Sequence, residues 1–245
     1  MVGYLRATRH PWPCLLFLLP LLALYEGGLL WLGERHPEAL RNGADTWLHW
    51  GLETFGLSQL YWAPALVGLV FLLWSWGRRL DRPADCLGLC IGMAIESIAF
   101  ALGLWSLSKH LPGFLKGFGI VLQLPATQQA AGEQQELLAQ AVAFVGAGVY
   151  EEILFRLFLF GGLIWLMRCT GLASRATIFL AAMCSAVLFA AAHYAGPYGE
   201  PYDRFSFLFR TVAGLYFTLI FQMRGFGIAV GTHACYDVLV GMIIS

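Results

Sequence analysis

The sequence predicts an all-α fold, a polytopic transmembrane helical bundle of about seven spans, and three observations predict it. Apolar side chains make up 59% of the 245 residues and charged ones only 12%, against roughly 25% charged in soluble domains. The apolar residues fall in long blocks, and about 20 in a row is what an α-helix needs to cross roughly 30 Å of hydrocarbon. Polar and Pro/Gly-rich stretches separate the blocks and mark the connections.

Taken in chain order, the expected spans are approximately 12–32, 60–77, 87–107, 138–168, 175–194, 206–223 and 226–244. Arg6 and Arg9 precede the first apolar run, Cys14 to Ala23, as in a signal peptide. No small-x-small cleavage site follows, so a retained first span is expected. The connection from Gly33 to Gln59 mixes Glu34, Arg35, Glu38, Arg41, Asp45 and Glu53 with Trp47 and Trp50, which suits a segment at the membrane interface. The connection from Ser108 to Leu137 contains Pro112, Gly113, Pro125 and the polar run Gln128 to Glu136, and reads as a re-entrant or surface loop. No internal repeat and no separate soluble unit is visible. The expected organisation is one integrated membrane domain, with N-terminal spans and interfacial loops over 1–137 and core helices over 138–245.

The formal net charge is zero, and Lys and Arg never stand more than two together. This argues against nucleic acid or a polybasic lipid tail as partner. The cysteines Cys14, Cys86, Cys90, Cys169, Cys184 and Cys235 are scattered, and all but Cys86 and Cys169 lie within apolar blocks, where buried small hydrophobes are expected. Counted on alternate sides, Arg6, Arg9, Arg78, Arg79, Arg82, Arg168, Arg175 and Arg224 outnumber Arg35, Arg41, Lys109, Lys116, Arg204 and Arg210. The positive-inside rule then puts the N-terminus in the cytoplasm, and the composition is consistent with a bacterial inner-membrane protein.

A charge at the bilayer centre costs at least about 2.5–3.5 kcal/mol on insertion scales, so each one calls for a partner or a function. Glu26, Glu96, Glu151, Glu152, Arg156, His193, His233 and Asp237 fall inside the expected spans. Glu152 and Arg156 are i and i+4 on one helical face and can pair, while Glu151 points about 100° away. Balancing two carboxylates with one guanidinium leaves a negative charge over, which a purely structural network would not need. His233 and Asp237 repeat the i, i+4 spacing, so Asp237 can accept from one ring nitrogen and leave the other aimed at a reacting group. His193 closes the run Phe189-Ala-Ala-Ala-His193 near a helix end. Glu26 and Glu96 read as interhelical hydrogen-bond partners, and the many Trp and Phe residues as lipid-facing or interfacial anchors.

The run Glu151-Glu152-x-x-x-Arg156, then Phe189-x-x-x-His193, then His233-x-x-x-Asp237 resembles the three signature motifs of the CPBP family of intramembrane proteases. That family includes the prenyl-protein CAAX endopeptidases of the Rce1 type and bacterial abortive-infection-like and bacteriocin-processing proteins. The resemblance covers roughly Phe144 to Gly241. It implies an intramembrane endopeptidase, glutamic-type or metal-dependent, that cleaves a membrane-embedded or lipid-anchored protein or peptide with a CAAX-type, leader or sorting-signal sequence. It also marks Glu151, Glu152, His193, His233 and Asp237 as catalytic, with Arg156 and Phe189 in support. Asp237 stands where the eukaryotic CAAX enzymes carry Asn, so it is expected to orient His233 or to ligate a metal.

In the favoured scheme Glu151, assisted by His193, takes a proton from the attacking water, His233 donates to the oxyanion or leaving amine, and no cofactor is required. The alternative binds one divalent ion, such as zinc, through His193, His233 and Glu151 with water as fourth ligand. Rival chemistries lack their motifs: there is no His-Glu-x-x-His helix, no Gly-x-Ser-x-Gly elbow and no Gly-x-Gly-Asp. Readings from other classes are a non-catalytic membrane scaffold or immunity factor and a proton-coupled transporter, the latter without an inverted repeat.

Overall fold

A computed structural model describes residues 3–32, 41–57, 62–81, 83–117, 134–171, 173–196 and 199–243. The described chain is helical, and each expected apolar block forms a helix over its described residues. Four of these helices are long and apolar enough to cross a membrane: α2 (Pro11–Leu32), α5 (Cys86–Gly117), α8 (Ser174–Ala192) and α9 (Arg204–Arg224). They are joined by a short N-terminal α1 (Tyr4–Ala7), by α3 (Gly43–Glu53) and by α4 (Trp62–Gly77). The expected fourth span is a continuous helical run of α6 (Gln134–Glu152), a π-helical stretch (Ile153–Phe160) and α7 (Gly161–Arg168). The last is α10 (Phe226–Val238), which passes into a second π-helical stretch, Leu239–Ile243.

The surface is apolar where a soluble protein would be polar. Leu24, Trp31, Leu73, Trp76, Ile95 and Phe179 all point outward, as lipid-facing residues should when the solvent is hydrocarbon. At the centre stands α10. Every residue from Phe226 to Ala234 is buried, enclosed by α2, α5, α6 and α9. It follows α9 after a single residue, Gly225, whose φ of 99° only glycine adopts without strain. Polar groups that would be costly in lipid are paired across helices: both nitrogens Nε and Nη2 of Arg224 donate to Glu96 at 2.7 Å, and Tyr150 Oη donates to Glu26 at 2.7 Å. Glu26 and Glu96 are thus the interhelical partners their positions predict.

Two expectations are corrected. Ser108 to Gly117 is not a loop but the end of α5, which has Pro112 inside it. The proline removes one helical hydrogen bond, but the apolar residues Phe114 and Leu115 continue past it. The resulting helix, about 48 Å long at 1.5 Å per residue, outruns the hydrocarbon core. Among the cysteines, all free, only Cys14 is buried; Cys184 is exposed on the outer face of α8, because a thiol is apolar enough to face lipid. Pro125 and most of the polar run after it, with Glu34, Arg35, Glu38 and Arg82, lie outside the described residues.

Candidate active site

The site forms where α6 crosses α10. A Cβ on Gly148 would stand 2.7 Å from the Ala234 nitrogen and 2.9 Å from its Cα, distances that real side chains do not tolerate. Only glycine lets the two backbones meet here. The crossing lies three residues before Glu151 on one helix and one residue after His233 on the other, so it brings the carboxylates to the imidazole. Directly after Glu152 the helix widens into its π-helical stretch, a feature that concentrates at functional sites. Arg156 lies in this stretch, and α8 braces it: Ser185 Oγ donates to the Phe155 carbonyl at 2.9 Å.

Glu152 is fully buried and is held from two sides. Arg156 Nε lies 3.0 Å from its Oε2 and His233 Nδ1 lies 2.8 Å from its Oε1. Arg156 in turn sits over the rings of Phe189 and Phe217, at 4.6 and 5.4 Å, and its Nη2 donates to the Gly214 carbonyl at 3.2 Å. The aromatic faces and the carbonyl cover a guanidinium that would otherwise be isolated in a low-dielectric interior.

Glu151 makes none of these contacts. Its Oε2 is buried without a hydrogen-bond partner and faces two imidazoles, His233 Nε2 at 3.8 Å and His193 Nε2 at 3.9 Å. His193 Nδ1 lies 2.9 Å from the Phe189 carbonyl. A carbonyl only accepts, so Nδ1 carries the hydrogen, and in the neutral ring Nε2 presents its lone pair towards Glu151. His233 Nε2 also lies 3.4 Å from Asp237 Oδ2.

All seven residues singled out from the sequence, Glu151, Glu152, Arg156, Phe189, His193, His233 and Asp237, therefore stand in one cluster. One detail differs from expectation. The group that holds His233 by Nδ1 is Glu152, across the α6–α10 crossing, whereas Asp237 flanks Nε2 on the reacting side. Phe217 was not foreseen: its ring stacks on His233 at 4.4 Å and 13°, and nothing in the local sequence of α9 distinguishes it from the other phenylalanines there.

The cluster opens into a cavity of about 800 Å³ lined by Glu151, Phe155, Ala192, His193, Ala195 and Glu200 on one side and by Gly43, Ala44, Thr46, Trp47, Trp50 and Gly51 of α3 on the other. That volume falls in the range of ligand-binding clefts. A metal was the alternative use of His193, His233 and Glu151. Among the described residues, however, no group of three or more His, Cys, Asp or Glu side chains is arranged to hold one, so the three do not make a ligand set as placed.

Residues 133–239 match the model of a protein family described as type II CAAX prenyl endopeptidase Rce1-like. Over these residues the chain is similar to the Rce1-like family. The Rce1-like segment runs from α6 through α10 and contains every residue of the carboxylate–imidazole cluster, whereas α3, which makes the opposite wall of the cavity, lies outside it. No curated protein and no solved structure is significantly similar to the chain. The match supports, in general terms, a CAAX-type intramembrane protease.

Proposed function

We propose that the protein is an intramembrane endopeptidase that hydrolyses a peptide bond in a membrane-embedded or lipid-anchored protein or peptide, using water activated by Glu151. The observation that carries this reading is the buried, unpartnered Glu151 Oε2 facing His193 Nε2 and His233 Nε2 at the edge of the cavity. A water bound to Oε2 comes within reach of both ring nitrogens. Glu151 takes one hydrogen as general base while the His193 lone pair accepts the other, which aims the water oxygen at the carbonyl carbon.

As the C–O bond forms, negative charge develops on the carbonyl oxygen. His233 is the donor for it: Nδ1–H is held on Glu152, and Nε2–H points to the reacting side, in a protein environment already organised around it. The proton on Glu151 then passes to the leaving amine as the C–N bond breaks, yielding a new amine and a new carboxylic acid, which loses its proton to solvent as it leaves. Asp237 flanks Nε2 and holds the ring against rotation. Arg156 and Phe189 act by keeping Glu152 and the imidazoles in place. The CAAX-type character of the family favours a lipid-anchored tail as substrate, alongside leader and sorting peptides with an apolar stretch.

The test is cleavage of such peptides by the purified protein in lipid vesicles. Glu151→Gln is expected to lower turnover at least 100-fold while leaving the thermal transition within a few degrees. Full cleavage by Glu151→Gln would remove this residue from the role of base.

A further inference from the structure

The cavity has a wall that lies outside the residues matching the family. Six residues of α3 line it, and this helix is held rigidly to the catalytic one. Asn42 caps it by accepting from Asp45 N–H at 2.8 Å. The Asp45 carboxylate is buried and accepts from Tyr25 Oη at 2.8 Å and from Arg41. The Tyr25 ring packs 5.4 Å from that of Tyr150, the residue immediately before Glu151. A shift of α3 would therefore disturb the helix turn that carries the proposed base.

What this wall presents is apolar and aromatic. Trp47 packs against the cluster of Phe155 and Phe189, whereas Trp50 is 68% exposed although it lines the cavity. Gly43 and Gly51 leave open space: a Cβ at either position would meet no atom within 4 Å. The carboxylates among the lining residues are Glu151 and Glu200, and Glu200 is held by Arg210 at 2.7 and 2.9 Å. No lysine or arginine is among them.

We propose that α3 is the specificity element of this protein: Trp47 and Trp50, with the gap at Gly51, form a subsite for a large apolar side chain of the substrate peptide beside the scissile bond. The occupant is a peptide side chain rather than a lipid, because the subsite is continuous with the cavity at Glu151 and His193, where the reacting carbonyl must lie. This rests on the endopeptidase reading and adds which residues next to the cut are accepted.

The test uses a library of peptides with one apolar membrane anchor followed by a randomised stretch of about eight residues, in phosphatidylcholine vesicles with the intact protein. The wild type is expected to prefer Trp, Phe or Leu over Ala at one position near the cut by about tenfold or more in kcat/KM, corresponding to burial of one large apolar group. Trp50→Ala and Trp47→Ala should flatten that preference, mostly through KM. Gly51→Phe, whose Cβ meets no atom within 4 Å, should place a ring in the gap and reverse it in favour of Ala. Trp165→Ala, on the exposed face of α7, should change nothing.

If the preference survives all three α3 variants while Glu151→Gln is inactive, the subsite is wrong and the endopeptidase reading stands. A uniform change across all peptides would make the indoles interfacial anchors and also overturn the proposal. Cleavage that follows an attached isoprenoid instead of the side chain would assign the pocket to lipid. No cleavage of any member by the wild type would remove the inference together with the reading beneath it.

Discussion

Glu152 and Glu151 are neighbours in sequence with opposite surroundings, and the difference separates structure from chemistry. Glu152 is shared between Arg156 and His233, and removing one partner of a buried ion pair typically costs about 3–5 kcal/mol. Glu152→Gln is therefore expected to lower stability by that order, seen as a large drop in the thermal transition in detergent. Glu151→Gln should abolish cleavage with little change in stability. Equal loss of stability in both variants would show that the two carboxylates are not divided in this way. At this scale the sequence was informative where partners share a helix: Glu152 with Arg156 and His233 with Asp237 follow from the i, i+4 spacing alone. The Glu152–His233 bond spans 81 positions, and the stacking of Phe217 on His233 joins two helices. Neither leaves a periodic trace in the sequence, so the role of orienting the His233 ring was expected of Asp237 alone.

Helix contacts decide whether those residues meet. Gly148→Val would drive a branched side chain into the backbone of Ala234, separate α6 from α10 and pull Glu152 away from His233. We expect loss of activity with a stability loss of about 1–3 kcal/mol, in the range of overpacking; retention of full activity would mean that the crossing is not needed.

On α3, His49 Nδ1 lies 2.9 Å from Asp45 Oδ1. Its hydrogen bond to Asp45 raises the His49 pKa above the ordinary value, against burial and the nearby Arg41. A raised folded-state pKa contributes stability that is fully present below the unfolded value of about 6.5 and is lost as pH rises through the folded value. The wild type should thus exceed His49→Gln in stability at pH 6, by no more than about 1 kcal/mol for a partly exposed pair, and the gap should close at higher pH. A gap that widened with pH would contradict the assigned sign. The interfacial character of this segment was legible from Trp47 and Trp50 among charged residues. Its place as a cavity wall was not, because that depends on how α3 folds back over α6. The end of α5 was misjudged for a related reason: Pro112 and Gly113 punctuate the sequence, yet a helix flanked by apolar residues continues through them.

The described molecule is a helical bundle with many large apolar side chains facing outward and a carboxylate–imidazole cluster at the crossing of α6 and α10. Composition and block length made that arrangement legible, since no soluble fold could hide so much apolar surface. The central claim is that this arrangement cuts peptide bonds in membrane proteins. Its most direct test compares the new protein termini in membranes of cells expressing the wild type with those in cells expressing Glu151→Gln at equal levels. The account predicts a set of termini present only with the wild type and flanked by apolar residues. Identical termini in the two membranes, with both proteins folded, would contradict it.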